Sequence, residues 1–100
     1  MEKPQTATIL RPDGTCQECK PQNGREFTLE ELQRAVGGFI ERVQIKPGNG
    51  HTTMYVNEDG KRLNLSRNVF ASKMAVLFRG DFISGNAILV SRELRFPGRE

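Results

Sequence analysis

The sequence predicts a small α+β domain in which two short helices pack on a mostly antiparallel sheet, in the order ββαβββαβ. Short runs that alternate apolar and polar residues, as strands do, are separated by turns rich in Pro, Gly and Asn. Two other segments carry apolar residues at helical spacing. A chain of 100 residues suits one domain. We therefore predict a single domain over residues 1–100, with its core at about residues 6–91 and a charged, partly mobile tail at residues 92–100.

The chain begins with a predicted β-hairpin. Residues 6–10 alternate in polarity and favour a strand, and Arg11-Pro12-Asp13-Gly14 follows them in a turn-forming order. A second strand at residues 15–20 pairs back on the first. The turn Pro21-Gln22-Asn23-Gly24 then closes this unit.

The first helix has the clearest local signal. Thr28-Leu29-Glu30-Glu31 matches a capping box, in which Thr28 is the N-cap and Glu31 reaches back to its amide. Phe27 and Leu32 stand at the two positions of a hydrophobic staple, and the Gly pair at residues 37–38 ends the helix. The apolar residues expected to face the core are Leu29, Leu32, Ala35 and Val36.

Three strands are predicted between the helices. The first covers residues 39–45, with Phe39, Val43 and Ile45 on one face, and a loop at residues 47–50 ends it. The second covers residues 51–56, which again alternate. A tight turn at residues 57–60 leads into a third, short strand at residues 61–65.

The second helix is predicted to begin at Ser66 or Asn68 and to run to about residue 78. Its apolar stripe, expected to be buried, consists of Phe70, Met74 and Leu77 or Phe78, backed by Ala71 and Ala75. The last strand, Ala87-Ile88-Leu89-Val90, is apolar on both faces. That pattern predicts a central strand covered on each side.

Composition limits the function classes. The chain is too short for a Rossmann dehydrogenase, a kinase or a TIM barrel, and 36% hydrophobic residues disfavour a disordered chain. No window approaches the roughly 20 apolar residues of a membrane span, so we expect a cytoplasmic protein. The net charge of +3 divides into −2 for residues 1–60 and +5 for residues 61–100. Such a basic part is typical of proteins that contact nucleic acid, nucleotides or acidic proteins, although many small domains carry it without such a partner.

Cys16 and Cys19 form a C-x-x-C pair, a pattern that elsewhere binds zinc or exchanges thiols. A structural zinc site needs four ligands, and this chain offers two Cys and one His. A redox pair is expected at a helix N-terminus, whereas this one falls in a predicted strand. We interpret both cysteines as strand-packed thiols and expect no metal and no cofactor. A surface redox pair and a metal shared between subunits stay open as alternatives.

His51 is the single histidine, and the sequence places no nucleophile or orienting acid beside it. A small enzyme built on His51 or on the cysteines is therefore a third hypothesis without assigned catalytic residues. A binding surface is better motivated, because aromatic and basic side chains together stack on and neutralise anionic ligands. Its candidates are Tyr55, Arg62, Arg67 and Arg79. Phe70 and Phe78 would add to this surface, but they lie on the stripe that is expected to be buried.

The order of motifs resembles a family of small uncharacterised proteins from phages, plasmids and bacterial genomes. The resemblance covers roughly residues 7–91. Its matching segments, in chain order, are Arg11-Pro12-Asp13-Gly14, Phe27-Thr28-Leu29-Glu30-Glu31-Leu32-Gln33, Val36-Gly37-Gly38-Phe39-Ile40-Glu41 and Met54-Tyr55-Val56-Asn57-Glu58-Asp59-Gly60-Lys61. The spacing of Asn68 and Ala71 and a strand that begins with Gly at residues 85–90 also match.

The resemblance implies an accessory protein of a mobile element and carries over no catalytic or cofactor-binding residue. It makes Asn68 the first functional candidate, although a helix N-cap explains this asparagine equally well. Similar proteins have apolar residues at the positions of Cys16 and Cys19, which supports the interpretation of packed thiols.

The leading hypothesis is a non-enzymatic binding protein of a phage or mobile element that acts in a bacterial host. It would inhibit a host-defence complex or sequester a nucleotide signal. The alternative is a nucleic-acid-binding accessory protein that uses the basic residues of 61–100. The basic residues are dispersed, which favours a host or phage protein, or a small anion, over nucleic acid. No membrane partner is expected, and a homodimer stays open.

Overall fold

The computed structural model describes residues 4–46 and 53–91. The predicted loop at residues 47–50, His51 and the charged tail at residues 92–100 lie outside the described residues. The elements in chain order are β1 (Ala7–Leu10), β2 (Cys16–Cys19), α1 (Leu29–Val36), β3 (Ile40–Val43), β4 (Thr53–Asn57), α2 (Val69–Met74) and β5 (Ala87–Val90).

One antiparallel sheet joins the five strands in the order β2-β1-β5-β4-β3. This arrangement, with its two short helices, confirms the predicted α+β class. It also confirms the predicted place of β5, which pairs with β1 on one side and β4 on the other. All four residues of β5 are buried because both faces of the central strand are covered.

The two helices pack on opposite faces of the sheet. Alternate residues of each strand point to opposite sides, so every inner strand contributes to two apolar clusters. The cluster under α1 contains Ala7, Phe27, Leu32, Val36, Tyr55, Ile88 and Val90. The cluster under α2 contains Leu10, Ile45, Met54, Val56, Ala71, Ala75, Ile83, Ala87 and Leu89.

Helix α1 forms as its local sequence predicts. The Thr28 side chain accepts from the Glu31 amide while the Glu31 carboxylate accepts from the Thr28 amide, which completes the capping box. Gly37 ends the helix in the left-handed conformation with φ 81°. Leu29 differs from the prediction, since 41% of it is exposed. It occupies the first helical position, and Phe27 provides the packing at that end.

Residues 61–65 form turns in place of the predicted strand. The Leu63 amide donates to the Asp59 carbonyl, and the Leu65 amide donates to the Gly60 carbonyl. Asn64 is left-handed with φ 59°, which an extended strand does not allow. Within the described residues the sheet therefore contains five strands, one fewer than the predicted order, because the strand expected at residues 61–65 is missing.

Helix α2 begins at the predicted cap, Asn68, but ends at Met74 instead of near residue 78. Beyond it the chain is extended and pairs with residues 44–46, since the Val76 amide donates to Gln44 and the Lys46 amide donates to Met74. This long-range pairing replaces the last helical turn.

The early end of α2 corrects the predicted apolar stripe. Ala71 and Ala75 are buried in the core, and Met74 and Leu77 pack against it half-buried, as the stripe predicts. Phe70 and Phe78 differ from the prediction, since they are 47% and 89% exposed. Phe39 was also predicted to lie on a core face, but β3 begins one residue later and Phe39 is 66% exposed. No helix within the described residues has the length and apolar character needed to cross a membrane.

Candidate functional site

The ring of Phe82 holds two cationic side chains at the protein surface. The Arg67 guanidinium carbon lies 3.9 Å from the ring centroid, and Lys61 Nζ lies 5.0 Å from it. Both distances are within the range in which a cation is attracted to the face of an aromatic ring. The structure therefore brings the predicted residue Arg67 together with Lys61 and Phe82, which sequence reasoning had not selected as site residues.

Backbone pairing places Arg67 beside Phe82. The Asn68 amide donates to the Ile83 carbonyl over 2.8 Å, and the Gly85 amide donates to the Ser66 carbonyl over 2.7 Å. The two short segments thus run antiparallel, with a bridge between Arg67 and Ser84. Gly85 is left-handed at φ 88°, and a Cβ on it would lie 2.7 Å from the Leu65 side chain, so this turn requires glycine.

Two aspartates interrupt the positive charge of this surface. Lys61 forms a salt bridge with Asp81, and Arg62 Nη2 lies 3.2 Å from an Asp59 carboxylate oxygen. A hydrogen bond from Lys61, helped by one from the Phe82 amide, lowers the pKa of Asp81 below its ordinary value. Within the described residues no salt bridge joins Arg67 to a carboxylate. Arg67 lies instead over the Phe82 ring.

The surface around Phe82 is shallow and open. A depression of about 330 Å³ lies on the Arg67 side, and one of about 340 Å³ lies on the Arg62 side. Lys61, Phe82 and Ser84 line both. We refer to Lys61, Arg62, Arg67 and Phe82 as the basic surface. Its open shape suits contact with a partner's surface better than enclosure of a small molecule.

Tyr55 lies away from the basic surface. Its side chain is 3% exposed and packs in the cluster under α1, on the opposite side of the sheet from the cluster that contains Ile83. Tyr55 was selected because it is aromatic, and its residue type does not show that α1 covers this face of the sheet. The structure therefore does not bring Tyr55 together with the arginines.

Asn68 is fully buried and makes structural hydrogen bonds. Its Nδ2 donates to the carbonyl oxygens of Leu10 and Gly85, each over 2.9 Å. Its Oδ1 accepts from the Ala71 amide over 3.0 Å, as an N-cap does. Both amide hydrogens are used in this way. The structure thus favours the N-cap interpretation of Asn68 and leaves no donor for a ligand.

Arg79 is exposed in the turn between α2 and the Phe82 segment. The Asp81 amide donates to the Phe78 carbonyl and closes this turn, and Asp81 in turn pairs with Lys61. Arg79 therefore borders the basic surface without lining either depression.

The two cysteines lie on opposite faces of the edge strand β2. Cys16 is opposite Leu10 and Cys19 is opposite Ala7, and these partners belong to different core clusters. Three residues of extended chain separate the two Cα atoms by roughly 10 Å, too far for a disulfide. Cys19 is half-buried, as a packed thiol should be, whereas Cys16 is exposed and differs from that prediction.

The described residues contain no group of three or more His, Cys, Asp and Glu side chains that would hold a metal ion. Burial, followed by the nearby Glu31 carboxylate, raises the pKa of the Cys19 thiol, which disfavours the reactive thiolate. A metal shared between subunits stays a hypothesis from the sequence. An enzyme that uses His51, which lies outside the described residues, stays one as well.

The family comparison covers most of the chain. A family model described as Domain of unknown function (DUF3846) matches residues 5–95. No curated protein and no solved structure matches.

Proposed function

Because the chain belongs to the family described as Domain of unknown function (DUF3846), which carries no assigned activity, we propose its function from its surface. It is a non-enzymatic binding protein, encoded by a phage or another mobile element, that recognises a protein partner. The resemblance to phage and plasmid proteins motivates the proposed origin. The single observation that carries the binding role is the pair of cations, Arg67 and Lys61, held on the Phe82 ring.

The Phe82 ring restricts the positions of the two cations before any partner arrives. Arg67 is long and flexible, and ordering such a side chain at an interface costs about 0.5–1.5 kcal/mol. Contact with the ring offsets part of that loss in advance. Arginine and aromatic residues are also the types enriched at protein interfaces. The arrangement is therefore suited to recognition of a carboxylate on a partner.

The interleaved aspartates favour a protein partner over nucleic acid. Asp59 and Asp81 lie next to Arg62 and Lys61, so a phosphate backbone that approached these cations would also meet two carboxylates. A protein partner can place its own cations opposite the aspartates, and such complementarity gives specificity. The open depressions likewise disfavour a sequestered nucleotide, which usually occupies an enclosed pocket.

The partner we propose is a bacterial host protein, for example a component of a defence complex that this protein inhibits by covering its surface. A phage protein is the second candidate. The alternative, a nucleic-acid-binding accessory protein, keeps the +5 charge of residues 61–100 as its support. That alternative predicts affinity that falls steeply with salt, because neutralised phosphates release counterions.

Capture followed by titration tests the proposal. The immobilised protein is incubated with host lysate, retained proteins are identified by mass spectrometry, and the purified candidate is titrated by calorimetry. We expect saturable binding that Arg67→Gln weakens by about tenfold or more. Arg34→Gln, on α1 at the opposite face, is the matched control and should bind normally. If no purified candidate binds saturably, or if oligonucleotides bind more tightly than any protein, the proposal is wrong.

A further inference from the structure

Large apolar side chains are exposed along one segment of the chain. Five of the seven that are prominent among the described residues fall between residues 63 and 78: Leu63, Val69, Phe70, Val76 and Phe78. Burial of such a side chain typically contributes about 1.5–3 kcal/mol, so their exposure forfeits stability. Exposed apolar side chains that are concentrated in one segment of the chain, next to polar residues, suit an interaction surface.

The outer side of α2 carries part of this apolar surface. Ala71 is buried against the sheet, and at 100° per residue Val69 and Lys73 lie nearly opposite to it. Phe70 lies on the flank of the same short helix and is 47% exposed. The small Ala71 brings α2 close to the sheet and Met74 packs against the core, while Val69 and Phe70 remain on the outside.

Phe78 is presented by a hydrogen-bonded turn. Its carbonyl accepts from the Asp81 amide over 3.0 Å, Gly80 takes the left-handed conformation at φ 85°, and Asp81 pairs with Lys61 of the basic surface. These contacts fix the backbone on which an 89% exposed phenylalanine stands. A rigid aromatic side chain loses little conformational entropy when it binds, so Phe78 is suited to act as an anchor.

The charge of the same segment has one sign. Residues 61–79 contain five basic and no acidic residues: Lys61, Arg62, Arg67, Lys73 and Arg79. Asp59 and Asp81, just outside the segment, pair with Arg62 and Lys61. Within the described residues no salt bridge reaches Arg67, Lys73 or Arg79. The exposed apolar side chains therefore share their segment with three cations, Arg67, Lys73 and Arg79, that no salt bridge neutralises.

We infer that the outer surface of residues 61–79 binds an acidic peptide segment that also carries apolar side chains, with Phe78 as the anchor and Lys73 and Arg67 as the charge contacts. This inference rests on the proposed protein-binding function and names the chemistry of the partner. The positive charge of the segment favours acidic residues in the peptide, and its exposed phenylalanines favour apolar side chains there. An anionic membrane offers similar chemistry, but Asp59 and Asp81 at the margin of this surface would face its headgroups.

Selection from a displayed library of random peptides tests the inference. Peptides that bind the full-length protein should be enriched in Asp and Glu together with Phe, Leu or Trp. One enriched peptide is then synthesised, labelled and titrated by fluorescence anisotropy. We expect Phe78→Ala and Lys73→Gln each to weaken its binding by about tenfold. Leu29→Ala and Arg34→Gln on α1 are the matched apolar and basic controls, and both should bind like the wild type.

The possible outcomes separate the two proposals. The inference is overturned if the selection enriches basic or purely polar peptides, or enriches none. It is also overturned if Phe78→Ala and Lys73→Gln bind the selected peptide as the wild type does. Tighter binding to phosphatidylserine vesicles than to the selected peptide also overturns it. If these variants still bind the partner identified by capture, the proposed function stands and the inference alone fails. If, in addition, no purified partner binds the wild-type protein, both the inference and the proposed function fail. Circular dichroism of each variant confirms that its fold is intact.

Discussion

The Asn68 side chain donates a hydrogen bond to the Leu10 carbonyl, 58 residues earlier in the chain. A second bond to the Gly85 carbonyl and the cap on Ala71 make this one amide a junction between β1, the approach to β5, and α2. We predict that Asn68→Ala lowers the free energy of unfolding by about 2–4 kcal/mol, because it removes a cap and leaves buried carbonyls unpaired. Urea denaturation followed by circular dichroism measures this loss.

The matched control for Asn68 is Asn23→Ala, which removes an exposed side chain that caps the Arg25 and Glu26 amides in a turn. Its effect should stay near or below about 1 kcal/mol, since water replaces the lost bonds. Equal effects of the two substitutions would contradict the structural role of Asn68.

The Glu31 carboxylate predicts a loss of stability in acid. Partial burial acts to raise its pKa, but hydrogen bonds from the Thr28 and Gln22 amides outweigh burial and hold the pKa below the ordinary value of 4.5. A carboxylate with a lowered folded-state pKa stabilises the protein above its unfolded-state pKa, and the contribution is lost as the pH falls through the lowered value.

We expect the wild type to lose more unfolding free energy than Glu31→Gln as the pH falls below 4.5, in urea melts at a series of pH values. Glu30→Gln, in the same helical turn but outside the capping box, should retain the wild-type pH profile. If the unfolding free energy of Glu31→Gln depends on pH as that of the wild type does, the prediction is wrong.

Gly60 lies against the backbone that supports the basic surface. A Cβ at this position would be 2.6 Å from the Ser84 carbonyl oxygen, which is backbone and cannot rotate away. We predict that Gly60→Ala destabilises the protein by about 1–3 kcal/mol and weakens partner binding, because Ser84 pairs with Arg67.

Thermal unfolding and the calorimetric titration measure the two effects of Gly60→Ala. Gly14→Ala serves for comparison, because its Cβ meets no atom within 4 Å and only the left-handed backbone opposes the change. We expect Gly14→Ala to be destabilised but to bind the partner normally, whereas Gly60→Ala should bind the partner weakly. Normal partner binding by Gly60→Ala would refute the link to the surface.

The two thiols should react at different rates. Cys16 is exposed, whereas burial and the neighbouring Glu31 raise the pKa of Cys19. A colourimetric thiol reagent at neutral pH should therefore titrate one fast thiol and one slow thiol, with Cys16→Ser removing the fast phase. Rapid formation of a disulfide within one chain, detected by mass spectrometry, would contradict the placement of the thiols on opposite faces.

Local signals predicted the elements whose structure is determined locally. The capping box at Thr28 and Glu31 contains its own donors and acceptors, and the apolar run of β5 already implied two covered faces. The end of α2 was not predictable in this way, because Val76 pairs with Gln44, far away in the sequence. The burial predicted for Phe78 was wrong for the same reason.

The candidate surface contains some of the residues that were selected from the sequence. Arg62 and Arg67 were selected from composition, and both lie at the basic surface. Phe82 was missed because it belongs to no helix or strand, so no periodic pattern identified it. Tyr55 and Asn68 have residue types typical of binding sites, but only the tertiary structure shows that both are buried.

The position of β5 in the sheet affects how the chain can fold during synthesis. The β1–β2 and β3–β4 pairs have no partner in common except β5, which follows all four in chain order. Until β5 has been added, no strand can join the β1–β2 pair to the β3–β4 pair, so the continuous sheet cannot form. Pairing of β1 with β5 across some 80 residues is also slow, because the entropy lost in closing a long loop precedes the favourable contacts between the strands. The sheet is therefore completed only after translation has passed residue 90, when β5 can pair with β1 on one side and with β4 on the other.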